Sequence, residues 1–177
     1  MAVLQTIRNF FVPTSPTETE IIVPAPFTTY AIRSLSIRDL NTLLRLNLRC
    51  FRNGENYTKH TFNYLLTEPQ SIGFAAVTPT GDMVGFILLM NNPNGSAHIT
   101  TVGVAPEHRR RGVAESLIAR VDNALRDREI STIVLEVRVG NFAAQRLYQA
   151  TGYSIVQRMN HYYHNGEDGY LMMKSLI

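Results

Sequence analysis

HRRRGVAESLIARV, residues 108–121, places three consecutive arginines before a glycine and a run of helical periodicity. Val113, Leu117, Ile118, Val121 and Leu125 recur at the spacing of one helical face, so a helix is expected to begin just after Gly112. The preceding AHITTVGV, residues 97–104, has the β-branched content of a strand. A strand, a short loop and a helix start form a natural anion site, because the first helical N–H groups lack intrahelical partners and carry the positive end of the helix dipole. Gly112 and Ala114 would let a ligand approach the backbone closely. Neither a Walker phosphate loop nor the Gly-x-Gly-x-x-Gly dinucleotide fingerprint occurs. Nucleic acid is the weakest candidate. The helix behind Arg109, Arg110 and Arg111 carries Glu115, Asp122, Asp127 and Glu129 against Arg120, Arg126 and Arg128, without a spread basic face interleaved with aromatic side chains. Local chemistry thus leaves a phosphate-bearing small ligand and a solvated charge run in competition.

Outward from this junction, STIVLEVRV (131–139) alternates as a strand, with Ile133, Leu135, Val137 and Val139 on one face and Val134, Glu136 and Arg138 on the other. FAAQRLYQATGY reads as a short helix ended by Gly152, and residues 153–174 as two strands joined through HNGEDG. Upstream, IGFAAVT and MVGFILLM flank Pro79, Thr80, Gly81 and Asp82, which signals an antiparallel hairpin, and PNGS at 93–96 turns the chain into the next strand. TTYAIRSL (28–35) is strand-like. Ser36 and Asp39 form a capping box for a helix carrying Ile37, Leu40, Leu44, Leu48 and Phe51, and a second short helix is expected near residues 60–66. Residues 1–27 differ: Pro13, Pro16, Pro24 and Pro26 keep the backbone extended, as an extension preceding the domain at 28–177. The order implies an α/β (α+β) domain, mostly antiparallel, with one parallel crossover around the arginine helix.

The bulk composition narrows the options. A chain of 177 residues fits one compact domain. A net charge of +3 permits acidic partners without the concentrated basic surface of a nucleic-acid binder. Cys50 is the single cysteine, so an intramolecular disulfide and a cysteine-rich metal site are both excluded, and no metal is expected. No apolar run is long enough to cross a membrane as a helix, and the start does not read as a signal peptide, so the expected compartment is the cytoplasm.

Arg109-x-x-Gly112-x-Ala114 resembles the acetyl-CoA signature of the GNAT superfamily of N-acyltransferases, and it follows a strand ending in VGVAPEH as that signature does. LEVRVGNFAAQRLYQATGY (135–153) resembles the family's second cofactor block of strand, Asn and Tyr-bearing helix. The resemblance covers about residues 28–174. It implies a mixed sheet of about seven strands, splayed between the fourth and fifth, with about four helices, and acetyl-CoA in the gap. By that resemblance Val102, Gly103 and Val104 pair with the pantetheine amides, and Arg109, Arg110, Arg111, Gly112, Val113 and Ala114 hold the pyrophosphate. Asn141 matches a cofactor-contacting Asn, Tyr148 the proton donor to the leaving sulfur, and Glu136 the general base of the ribosomal-protein-alanine type of enzyme. EN-Tyr57 and Tyr162-Tyr163-HNGED resemble the peptide-binding loops of N-terminal acetyltransferases, which assigns substrate contacts to Glu55, Tyr57, Tyr162 and Tyr163.

The reaction implied is acetyl transfer from acetyl-CoA to an amine, first of all the N-terminal α-amine of a protein or peptide, with no nucleic-acid or membrane partner. A lysine or small-molecule amine is the alternative acceptor, and a non-catalytic acyl-CoA-binding or nucleic-acid-binding module the alternative class. A homodimer or an auxiliary subunit stays open.

Overall fold

The computed structural model describes residues 11–12, 22–51, 56–128 and 130–177. In chain order its elements are β1 (Phe11–Val12), β2 (Ala31–Ser34), α1 (Leu40–Cys50), β3 (Asn56–Tyr57), α2 (Lys59–Thr67), β4 (Ser71–Val77), β5 (Met83–Asn91), β6 (Ser96–Val104), α3 (Val113–Arg126), β7 (Thr132–Arg138), α4 (Phe142–Ala150), β8 (Ser154–Met159) and β9 (Gly169–Ser175). Seven strands form one sheet in the order β2-β4-β5-β6-β7-β9-β8. Every neighbouring pair is antiparallel except β6 and β7, which run parallel around α3. The capping box forms as read: the Asp39 carboxylate accepts from the Ser36 backbone N–H at 2.9 Å. It opens a single 3-10 turn, Ile37–Asp39, that leads into α1. The sequence reading did not include β1 and β3, which pair with each other alone.

β5 is the spine. Each residue from Met83 to Met90 is buried, because helices cover both faces of the strand. Alternation assigns the helices to sides. A Cβ added at Gly85 would meet Val113 and Leu117 of α3, whereas the neighbouring Phe86 ring packs edge-on at 6.1 Å against Phe62 of α2. α3 therefore covers one face, and α1 with α2 the other. Burying each of these large side chains contributes about 1.5–3 kcal/mol. Gly103 is fixed by this packing, since a Cβ there would stand 2.7 Å from the Phe86 ring and 3.1 Å from the Cys50 sulfur. Burial against this wall pushes the Cys50 thiol pKa up to about 12, against the lowering influence of Arg109 and Arg49.

The site arises from one irregularity in β6. Ser96, Ala97 and His98 pair with Thr132, Ile133 and Val134 of β7, and there the β6–β7 ladder stops. On its other edge β6 stays paired to β5 as far as Val104, but the register slips where Leu88 faces Thr101 and Leu89 faces Ile99. Thr100 is the extra residue. A bulge bends its strand and increases the local twist, so β6 swings away from β7 immediately beyond His98. β7 meanwhile pairs with β9 from Thr132 to Arg138. The wedge between β6 and β7 lies between the fourth and fifth strands of the sheet in chain order, where it was expected.

Candidate active site

One wall of the wedge is main chain. Gly112 is the N-cap of α3 with φ 74°, in the left-handed region where only glycine rests without strain. Glycine offers no side chain to cap the helix, and a Cβ built on Gly112 would meet nothing within 4 Å. The space beside Gly112 is thus clear at the start of α3, where unpaired helical N–H groups favour a diphosphate. Two residues earlier Arg110 is also left-handed, with φ 60°, at a cost of about 1–2 kcal/mol for a residue bearing a Cβ.

The flanking arginines brace that turn. Arg109 donates from Nε to the Val104 carbonyl and from Nη2 to the Cys50 carbonyl, each at 3.1 Å. Arg111 donates to the carbonyls of Pro26, at 2.8 Å, and Ala25. Two of the three guanidinium groups thus hold protein carbonyls, while the Arg110 side chain is exposed. Asn141, the other polar residue assigned to the cofactor, caps α4: its Oδ1 accepts from the Ala144 N–H at 3.1 Å.

The opposite wall is built of side chains from distant segments. Glu136 projects from β7 at the floor of the wedge, where its Oε2 lies 2.7 Å from Nε2 of His98. His98 is 5% exposed, and its Nδ1 has no hydrogen-bond partner among the described residues. The two residues meet because the parallel register puts His98 beside Val134, and Glu136 is the next residue on that face. The sequence patterns single out Glu136 but not His98. The usable signal was a histidine in the strand parallel to that of Glu136, at a position fixed only by the register.

Around this pair stand the aromatic residues. Tyr57 donates its hydroxyl to the carbonyl of Thr100, the bulged residue, at 3.0 Å. Burial, and then the Glu136 carboxylate and Tyr162, raise the Tyr57 phenol above its usual range. Tyr163 is raised chiefly by burial, opposed by Arg138 and reinforced by Tyr162, Glu136 and Tyr148. Glu136, Tyr57, Tyr162, Tyr163 and Tyr148 therefore share one electrostatic neighbourhood, although they come from four different elements and loops. Tyr148 is 6% exposed on α4, edge-on to Tyr153 at 5.7 Å, and burial raises its phenol too. Glu55 lies outside the described residues.

The loop carrying Tyr162 and Tyr163 is tied to β7 by Arg138. Its Nη1 donates to Oε2 of Glu167 at 2.7 Å and to Oδ1 of Asn165 at 3.1 Å, and its guanidinium lies 3.8 Å from the Tyr163 ring centroid. Glu167 also accepts from the Gly140 N–H at 2.9 Å. Arg138 is a second residue not assigned a role in the sequence. It stands on the same strand face as Glu136, but its partners lie 27 and 29 residues away.

Residues 40–153 match the Acetyltransferase (GNAT) family. An "N-alpha-acetyltransferase" of Sulfurisphaera tokodaii is 30% identical, across 83% of this chain and 93% of that protein. The "N-alpha-acetyltransferase daf-31" of Caenorhabditis elegans is 34% identical, across 82% of each chain. The crystal structure of the ribosomal-protein-S18-alanine N-acetyltransferase from Escherichia coli superposes with a TM-score of 0.76 at 25% identity, covering 84% of this chain and 94% of that one. The chain belongs to the GNAT acetyltransferase family and is an acetyl-CoA-dependent N-acetyltransferase.

Proposed function

We propose that this acetyltransferase acts on the N-terminal α-amine of a protein or peptide, with residues 28–177 as the catalytic domain and the preceding 27 as an extension. The observation carrying the proposal is the carboxylate of Glu136, joined to His98 at the wedge floor and ringed by Tyr57, Tyr162 and Tyr163. An α-amine of pKa near 8 is about one-tenth neutral at pH 7, whereas a lysine is neutral about four times in ten thousand, a difference of roughly 3 kcal/mol. One carboxylate suffices for the first. The aromatic surroundings suit the opening residues of a polypeptide, and the relatives named N-alpha-acetyltransferase support the same acceptor.

Acetyl-CoA supplies the thioester. The N–H groups of Gly112, Val113 and Ala114 would hold its diphosphate and the backbone of Val102, Gly103 and Val104 its pantetheine arm, with Arg110 adding long-range attraction to the phosphates. Glu136 takes a proton from the incoming ammonium group, and His98 holds the accepting carboxylate in place. After the neutral amine attacks the carbonyl carbon, the carbon–sulfur bond would break with Tyr148 donating its proton to the departing sulfur, and the surplus proton on the new amide nitrogen would restore the Tyr148 phenol. Burial raises the Tyr148 phenol, which keeps the donor protonated until the sulfur departs. Tyr57, Tyr162 and Tyr163 wall the acceptor, the substrate polypeptide, and Glu55 is assigned to it by resemblance alone.

The test is a panel of short peptides differing in their first two residues, assayed with acetyl-CoA by release of free thiol beside N-terminally blocked lysine peptides and polyamines. Faster turnover of the free-N-terminus peptides is expected. Faster turnover of blocked lysine peptides or polyamines would move the acceptor to a side-chain or small-molecule amine.

A further inference from the structure

The residues just before the catalytic fold lie against the loop that leads into α3. The Ala25 N–H donates to the Glu107 carbonyl at 3.0 Å. The carbonyls of Ala25 and Pro26 receive the Arg111 guanidinium, which also lies 5.2 Å from the centroid of the Phe27 ring. A little further on, the Tyr30 hydroxyl meets Nδ1 of His108 at 3.1 Å. Phe27 is 97% exposed, so burial in the core does not account for an aromatic there. Residues 25–30 precede the stretch matched by the family model, which begins at residue 40.

Strained backbone persists only where its surroundings over-determine it. The left-handed turn at Arg110 has two braces. Arg109 ties it to the domain through Val104 and Cys50, and Arg111 ties it to residues 25 and 26. Without the second brace the turn keeps its sequence but loses one of its two anchors, and its N–H groups must be ordered when the phosphates arrive.

We propose that residues 25–27 form a strap that, through Arg111, preorganises the diphosphate-binding loop and so sets the affinity for acetyl-CoA. These are positioning residues: they touch the loop and leave the ligand to it. The inference rests on the diphosphate being bound at the start of α3, and the experiment separates the two claims.

Three variants are compared with the wild type by calorimetry with coenzyme A and by steady-state kinetics. Ala25→Pro/Phe27→Ala removes the strap's N–H donor and ring; a proline between Pro24 and Pro26 keeps the chain extended. Arg111→Ala removes the brace from the other side, and the third variant combines all three changes. The strap variant and Arg111→Ala should each weaken coenzyme A about fivefold to twentyfold, and the combination should be no worse than either alone, because both break one connection. Turnover of the strap variant at saturating acetyl-CoA should stay within about twofold, since the chemistry of the wedge is untouched.

Wild-type affinity in the strap variant overturns the proposal, as does a combined effect equal to the product of the two. A lowered turnover number at unchanged affinity overturns it as well. Gly112→Val serves as the control on the site itself: if it binds coenzyme A like the wild type, the diphosphate is not at this helix start and the strap inference falls with that placement. Should the double change prevent folding, Phe27→Ala alone carries the test, since this exposed ring contributes nothing to the core.

Discussion

The two walls of the wedge are made of different material. The wall proposed for the cosubstrate is one continuous stretch of backbone, from the end of β6 through Gly112 into α3, where Arg109 and Arg111 hold protein carbonyls. The wall proposed for the acceptor is assembled from side chains of β3, β6, β7 and the β8–β9 loop, brought together by strand register and by Arg138. A backbone wall recognises what every substrate pair has in common, the cosubstrate. A side-chain wall can change its acceptor without disturbing the fold.

If that division is right, substitutions should separate by wall. The largest effect is expected for Glu136→Gln, which keeps the shape and removes the base: turnover should fall by about a hundredfold to ten-thousandfold with coenzyme A affinity retained, measured by thiol release and calorimetry. Tyr148→Phe should slow turnover by about a hundredfold with the cosubstrate still bound, and unchanged turnover would remove Tyr148 from the proton path. Arg138→Ala releases Glu167 and the tyrosine loop, so the peptide KM should rise about threefold to tenfold while the acetyl-CoA KM stays put, the pattern of lost uniform binding. Arg110→Ala should raise the acetyl-CoA KM by no more than about threefold, because an exposed charge is screened by salt. A tenfold rise would show that the cofactor wall also works through side chains.

The smallest effect is on stability. His108 is buried beside Tyr30, and desolvation leads the causes that lower its pKa, with Arg111 and Arg49 adding and Glu107 and Asp82 opposing. A base whose folded pKa is depressed binds its proton more readily when unfolded, so stability is full above the unfolded value of about 6.5 and declines as pH falls below it. The melting temperature should therefore drop between about pH 6.5 and pH 5, and the slope should flatten in His108→Asn.

Legibility in the sequence follows the same division. The β7 alternation, the α3 stripe and the Gly112 junction are local patterns, and each element appears where its period places it. The position of the wedge followed from family resemblance, but its cause, one extra residue at Thr100, leaves no mark in composition. Glu136 was visible as a polar residue among apolar neighbours. His98 was not, because its partnership depends on which rungs of a parallel ladder coincide. The arginine cluster was visible as three adjacent charges, but the carbonyls of Cys50, Ala25 and Pro26 that two of them hold lie far off in sequence and carry no local signal. Sequence spacing records what a residue offers; the tertiary fold decides who accepts it.

Cys50, wedged beneath Gly103, has a practical corollary. Thiol reagents react with the anionic form, and a sulfhydryl whose pKa is pushed to about 12 holds almost none of it at neutral pH. With no other cysteine in the chain, a colorimetric disulfide reagent added to a working reaction should report the liberated coenzyme alone, with the catalyst itself staying silent.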